Sequence, residues 1–71
     1  MPNAEQRARQ LSCLYYNQGL ERASVRDLYG AEVKLRQSLQ LNKRNTHARN
    51  LLGFVCYETG DVVNALQEWM I

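Results

Sequence analysis

The sequence predicts an all-α fold, and three observations lead to this prediction. Apolar residues recur at helical spacing in several segments instead of alternating as they do in strands. One proline and four glycines are too few to interrupt these segments often. Short polar segments separate one periodic segment from the next. At 71 residues, the chain is long enough for one small domain.

The first helix is predicted to begin after Asn3, which can serve as its N-cap, and to end near Arg22. Its predicted core-facing stripe is Ala4, Ala8, Leu11, Leu14, Tyr15 and Gln18. Residues 23–26 form a connection to the second helix. Ser24 and Asp27 are competing N-caps for that helix, because each is a residue type that accepts backbone hydrogen bonds.

The second helix has a clear apolar side, consisting of Leu28, Ala31, Leu35, Ser38 and Leu39. Gly30, next to Ala31, is expected to leave room for a neighbouring backbone. The polar run at 42–45 ends the periodic pattern and predicts a turn.

The third and fourth helices are predicted to form a hairpin over residues 48–69. The stripe of the third, which Asn45 or Thr46 caps, is Ala48, Leu51, Leu52, Val55, Cys56 and Thr59. Gly60 can adopt the left-handed conformation that closes a helix, and Asp61 can cap the next one. The fourth stripe is Val62, Ala65, Leu66, Trp69 and Met70. The small residues Gly53 and Ala65 should allow these two helices to approach closely.

The two halves of the chain are related by an internal repeat. An offset of about 34 residues aligns Ala31 with Ala65 and Leu35 with Trp69. The first helices of the two halves align at a larger offset, which puts Ser12 on Gly53. The first half therefore has about seven additional residues, which we assign to a longer first helix.

The pattern Leu52-Gly53, Gly60-Asp61, Ala65 and Trp69 resembles the signature of the tetratricopeptide repeat (TPR), a helix–turn–helix unit of about 34 residues. The resemblance implies an α-α superhelix, a TPR-like solenoid of four antiparallel helices in two helical hairpins. Residues 1–71 would form one such domain, with repeat one at about 5–45. Repeat two would cover about 46–71 and would be truncated at its C-terminal end.

The same resemblance implies a function. TPR-like hairpins expose a groove that binds peptides or protein segments, so the chain is expected to be a protein–protein interaction scaffold in the cytoplasm. The groove-facing positions carried onto this sequence are His47, Asn50, Phe54, Tyr57 and Glu58 in the second repeat. Those of the first repeat are Gln6, Arg9, Cys13, Tyr16 and Asn17. Their amide and charged groups could hold a peptide, and their aromatic rings offer stacking area.

No catalytic, cofactor or metal motif is recognisable in the sequence, so no enzyme activity is expected. The single histidine, His47, has no acidic partner near it in sequence, and a solvent-facing role is the expectation. Cys13 and Cys56 are expected to be two buried thiols in a reducing cytosol. Neither a secretory signal nor a membrane-spanning segment is predicted.

Two other functions remain open at this stage. A basic face around the second helix could contact nucleic acid; its members are Lys34, Arg36, Lys43, Arg44 and Arg49. A net charge of +2 makes this interpretation the weaker one. The apolar stripe also continues to Ile71, so the chain could instead be a homo-oligomer that associates through an open C-terminal end, or a fragment of a longer repeat protein.

Overall fold

A computed structural model describes residues 3–60, which form three α-helices: α1 (Ala4–Ser24), α2 (Leu28–Leu41) and α3 (Thr46–Glu58). There is no β-strand within 3–60, so the all-α prediction is confirmed for this part of the chain. The predicted fourth helix and its contact between Gly53 and Ala65 lie outside the described residues. Of the described helices, none combines the length and the hydropathy needed to cross a membrane.

The N-terminus of α1 is capped as predicted. The Asn3 Oδ1 accepts a hydrogen bond from the Gln6 N–H at 2.8 Å, and the Asn3 N–H donates to the Gln6 Oε1 at 3.2 Å. This reciprocal pair of hydrogen bonds satisfies the backbone N–H groups of Asn3 and Gln6 at the start of the helix. The acidic Glu5 lies in the same turn, where the positive end of the helix dipole stabilises its negative charge.

The connection between α1 and α2 consists of a closing turn in which Arg26 has a φ of 66°. The Arg26 N–H donates to the Ala23 carbonyl at 3.0 Å, and the Asp27 N–H donates to the Arg22 carbonyl at 2.9 Å. These two bonds form the Schellman arrangement that commonly ends a helix, usually with glycine at the left-handed position. Here α1 runs to Ser24, two residues beyond the predicted end.

Asp27 is the N-cap of α2, which decides between the two competing candidates. Its Oδ1 accepts the Gly30 N–H at 3.0 Å, whereas the Ser24 hydroxyl donates to the Glu21 carbonyl at 2.7 Å. A Cβ at Gly30 would collide with the Asp27 carboxylate. The prediction for Gly30 was therefore wrong, because this glycine makes room for the cap of its own helix.

Asn45 caps α3, with its Oδ1 accepting the Ala48 N–H at 3.1 Å. At the other end, Gly60 has a φ of 85°, and its N–H donates to the Tyr57 carbonyl at 3.0 Å. The left-handed conformation predicted for Gly60 is confirmed. Arg26, which aligns with Gly60 at the predicted repeat offset of about 34 residues, also has a positive φ.

The described core lies between α2 and α3. It consists of six fully buried residues, Ala31, Leu35, Ala48, Leu52, Val55 and Cys56. All six belong to the stripes predicted from helical periodicity, so the inner faces of these two helices are confirmed. Tyr16 and Ala23 of α1 pack against this cluster from the side.

The predicted inner face of α1 is wrong. Leu11 and Leu14 are 39% and 49% exposed, while the buried positions of this helix are Ser12 and Gly19. Hydropathy selected the leucines because they are the most apolar residues in the segment. The helix instead turns its small residues towards α2, since these allow the two backbones to approach closely.

Gly19 is at the closest point of this contact. A Cβ built on it would lie 2.8 Å from Leu35 Cγ, 2.9 Å from Leu35 Cδ2 and 3.4 Å from the Ala31 carbonyl oxygen. Leu35 is fully buried, so it has little freedom to move away.

Gly19→Ala is therefore expected to destabilise the protein. Alanine gains about 1 kcal/mol in helix propensity, but overpacking against Leu35 costs about 1–3 kcal/mol. In the Leu35→Ala background the same change should stabilise, because the colliding atoms are gone. Urea denaturation of the four proteins in this cycle measures the reversal. If Gly19→Ala stabilises the otherwise unchanged chain, the proposed contact is wrong.

Candidate functional site

The α3 part of the predicted groove lies at the surface. All five positions carried onto this helix are exposed: His47, Asn50, Phe54, Tyr57 and Glu58. Two of them are aromatic, with Phe54 46% and Tyr57 56% exposed. Their spacing places them on the side of α3 opposite the buried stripe that contains Leu52 and Cys56.

The α1 part of the groove is exposed apart from one anchor. Gln6, Arg9, Cys13 and Asn17 are all accessible, and Tyr16 is half-buried against the core. A shallow depression of about 500 Å³ is lined by Gln6, Arg9, Gln10 and Cys13. The α1 positions carried over from the resemblance therefore lie along one accessible strip of the helix.

Tyr16 and His47 join the two parts of this surface. Their ring centroids are 6.0 Å apart and the ring planes are tilted by 45°. This distance is within the range of favourable aromatic contacts. One candidate residue of α1 thus touches one candidate residue of α3, although 31 positions separate them in the sequence.

Two charged members of the set already have partners. Arg9 forms an ion pair with Glu5 at 3.3 Å, one turn away on α1. Glu58 forms one with Arg26 at 3.6 Å, which connects the end of α3 to the turn between α1 and α2. Arg9 and Glu5 are at least half exposed, so their pair contributes little to stability and can exchange for a ligand.

A buried polar network fixes α1 to α2 below this surface. The Ser12 hydroxyl donates to the Ser38 carbonyl at 2.7 Å, and the Ser38 hydroxyl donates to the Ser12 carbonyl at 2.6 Å. The Asn45 Nδ2 then donates to the Ser12 Oγ at 3.1 Å and to the Ser38 Oγ at 3.3 Å. Each hydroxyl both donates and accepts, so the buried pair is fully satisfied.

Asn45 therefore has two functions in the fold. Its Oδ1 caps α3, and its Nδ2 donates to Ser12 of α1 and Ser38 of α2. The N-cap of α3 is therefore hydrogen-bonded to both preceding helices. Sequence reasoning identified Asn45 only as a candidate cap. The additional signal was partial: Ser38 lies in the predicted inner stripe of α2 and required a buried partner, whereas its partner Ser12 lies outside the stripe predicted for α1.

The predicted basic face is divided between two sides of the protein. Arg36, Lys43 and Arg49 line one depression of about 360 Å³, together with Leu39, Gln40 and Leu52. Within it, Arg36 is paired with Glu32 at 3.1 Å, and the Arg49 guanidinium donates to the Lys43 carbonyl at 3.0 Å.

Lys34 belongs to another side of the molecule. Its ammonium lies 5.4 Å from the centre of the Tyr15 ring, and it lines a depression with Gln18, Glu21 and Arg22. The basic residues predicted to form one face thus border three depressions, since Arg44 and Lys43 also line one at the start of α1, and two of the three contain an acidic residue.

The two cysteines differ in accessibility. Cys56 is buried as predicted, with Arg36 Nη2 3.9 Å from its Sγ. Cys13 is exposed, so the prediction of a second buried thiol was wrong. The cause is the orientation of α1: its neighbour Ser12 occupies the buried position, and the next residue is about 100° further round the helix.

No His, Cys, Asp or Glu side chains within residues 3–60 form a group of three that could hold a metal ion. No protein-family model matches the chain, and neither a curated protein nor a solved structure shows significant similarity to it.

Proposed function

We propose that this chain is a TPR-like helical-repeat scaffold that binds a peptide or protein segment across α1 and α3. It acts by presenting a surface and performs no catalysis. We define the α1–α3 surface by its eight candidate residues: Arg9, Tyr16, Asn17, His47, Asn50, Phe54, Tyr57 and Glu58. The observation that carries the proposal is the contact between Tyr16 and His47, which brings one candidate residue of α1 next to one candidate residue of α3.

The repeat interpretation has two supports. Arg26 and Gly60 align at the offset of about 34 residues, and both adopt the left-handed conformation that closes a helix. Ser12 and Gly53, which align at the larger offset, are both buried. On this interpretation α1, with 21 residues against 13 in α3, contains the additional residues of the first repeat.

The complete repeat architecture is part of the proposal. Two antiparallel hairpins would require a fourth helix after Gly60, packed through Ala65 against Gly53, and would form a short segment of a superhelix. The cytoplasm is the proposed location, because an exposed thiol such as Cys13 persists in a reducing compartment.

The chemistry of the α1–α3 surface fits an extended peptide. Asn17 and Asn50 offer amide groups that can bond to a peptide backbone, and Phe54 offers exposed aromatic area. Aromatic side chains placed beside hydrogen-bonding groups are typical of interaction surfaces. The buried serine network holds α1 and α2 rigidly, which lowers the entropic cost of binding.

Selection from a display library of random short peptides tests this proposal. Peptides that bind the chain should lose affinity by about tenfold or more in the Asn50→Ala/Phe54→Ala variant, equivalent to about 1.4 kcal/mol. Tyr29→Ala/Val33→Ala is the matched control, because both residues are exposed on α2. Thermal unfolding should show that both variants are folded.

The alternatives have distinct outcomes in the same experiment. Equal losses in the two variants would contradict the α1–α3 surface. Binding of an oligonucleotide that falls steeply with salt would instead favour the basic residues and a nucleic-acid function. A concentration-dependent molecular mass without any peptide binding would favour self-association.

A further inference from the structure

The charges of the described residues are distributed unevenly. All five acidic side chains within 3–60 form ion pairs: Glu5 with Arg9, Glu21 and Asp27 with Arg22, Glu32 with Arg36, and Glu58 with Arg26. Arg7, Lys34, Lys43 and Arg44 have no acidic partner in this part of the chain. Two of these four, Lys43 and Arg44, are adjacent in the turn before α3.

Lys43 and Arg44 line a cleft of about 440 Å³ between the start of α1 and the α2–α3 turn. We call it the basic cleft. Its α1 side consists of Glu5, Ala8 and Arg9, and its other side consists of residues 41–44. Three basic side chains therefore face one acidic side chain, which is engaged by Arg9 in an exposed pair.

The two helix ends at this cleft contribute partial charges of opposite sign. The start of α1 contributes a partial positive charge and the end of α2 a partial negative one. The side-chain charges therefore determine the sign of the cleft, which is positive.

The backbone of this turn is held in place. The Asn42 Oδ1 accepts the Arg44 N–H at 3.1 Å, and the Asn42 carbonyl accepts the Asn45 N–H at 3.1 Å. The Arg49 guanidinium binds the Lys43 carbonyl at 3.0 Å. Lys43 and Arg44 thus extend from a fixed backbone, and ordering it on binding costs little.

Arg9 connects the basic cleft to the α1–α3 surface. It lines this cleft and also the neighbouring depression with Gln6, Gln10 and Cys13. Arg9 is therefore common to the α1–α3 surface and to the basic cleft, so one peptide that contacts Arg9 is adjacent to both.

We infer that the partner of the α1–α3 surface has an acidic segment, rich in Asp or Glu, whose carboxylates bind Arg9, Lys43 and Arg44 in the basic cleft. This inference rests on the proposed function, because it specifies the chemistry of the same partner. An acidic peptide fits better than nucleic acid for two reasons. The cleft is short and partly apolar at Ala8 and Leu41. In the adjoining depression that Lys43 also lines, Arg36 is paired with Glu32 and Arg49 donates to the Lys43 carbonyl, so these two guanidinium groups are already engaged.

A fluorescein-labelled oligoglutamate peptide is the probe, with an oligoserine peptide of equal length as its neutral counterpart. Lys43→Gln/Arg44→Gln should raise the Kd for oligoglutamate by about tenfold. The matched control is Arg22→Gln/Lys34→Gln, which removes the same two charges elsewhere and should change the Kd by no more than about twofold. The Arg49 bond to the Lys43 carbonyl is retained, since it involves the backbone.

Equal losses in the two charge variants, or no preference for oligoglutamate over oligoserine, would overturn the inference. Tighter binding of single-stranded oligothymidylate, lost in Lys43→Gln/Arg44→Gln, would overturn it in favour of nucleic acid. Tyr29→Ala/Val33→Ala, which lies outside both the α1–α3 surface and the basic cleft, should leave oligoglutamate binding unchanged. If the library yields no peptide that binds, while oligoglutamate binds as expected, the α1–α3 surface is rejected. If library peptides bind as expected but oligoglutamate does not, only the basic cleft is rejected.

Discussion

Leu35→Ala is expected to lower the free energy of unfolding by about 2–5 kcal/mol, the range for removing a buried leucine side chain. Leu35 is fully buried, belongs to the α2–α3 core and also contacts Gly19 of α1. Its removal therefore leaves a space that all three described helices border. Small domains are stabilised by about 5–15 kcal/mol in total, so this single change removes a large share.

Leu14→Ala is the matched control, because Leu14 is also a helical leucine but is 49% exposed. It should change the free energy of unfolding by no more than about 0.5 kcal/mol, as surface substitutions generally do. Leu35→Met, which conserves volume, keeps the test interpretable if Leu35→Ala fails to fold; it should cost less than about 1.5 kcal/mol. Urea denaturation provides all three values. Equal costs for the two alanine variants would contradict the described core.

Asn45→Ala is expected to destabilise by about 2–4 kcal/mol. Loss of an N-cap costs about 0.5–2 kcal/mol, and each hydrogen bond lost from the buried serine pair adds about 0.5–1.5 kcal/mol. The change removes the α3 cap and both amide donors to Ser12 and Ser38 together. Few single polar side chains in the described chain take part in so many contacts.

Two variants separate these contributions. Asn45→Ser retains a good cap and loses only the amide, so it should recover about 1 kcal/mol relative to alanine. Asn42→Ala removes an asparagine of the same turn whose side chain only accepts the Arg44 N–H, so it should cost about 1 kcal/mol or less. Guanidinium denaturation followed by circular dichroism measures each value. An Asn45→Ala cost as small as that of Asn42→Ala would refute the dual role of Asn45.

Helical periodicity was sufficient to predict the described fold where large apolar residues form the contact. The inner faces of α2 and α3, including Leu35 and Leu52, follow directly from apolar spacing. The helix caps at Asn3 and Gly60 were also predictable from the sequence, because asparagine before a helix and glycine after one are typical capping residues.

Periodicity failed on α1, because its contact with α2 is made by small residues. Ser12 and Gly19 have little hydropathy signal, whereas Leu11 and Leu14 have a strong one and lie outside the contact. A one-residue difference in phase also determined the exposure of Cys13. Close packing of two helices requires small side chains at the contact. A hydropathy scale gives its highest values to large apolar side chains, so it indicates the wrong face of α1.

The candidate surface was predictable only through the resemblance to TPR proteins. Individual exposures of Asn50 and Phe54 follow from the phase of α3, but the proximity of Tyr16 to His47 depends on how α1 packs beside it. The basic cleft was not predicted as one feature, because Arg9 and Lys43 are far apart in sequence and meet only in the folded chain.

The turn between α1 and α2 restricts how the length of this chain can vary. Asp27 donates its N–H to close α1 and uses its carboxylate to start α2, so one residue belongs to both helix ends. An additional residue between Arg26 and Asp27 would separate these two bonds and disrupt both ends together. Insertions in relatives of this protein should therefore avoid this junction, and a longer α1 would have to gain its residues within the helix itself.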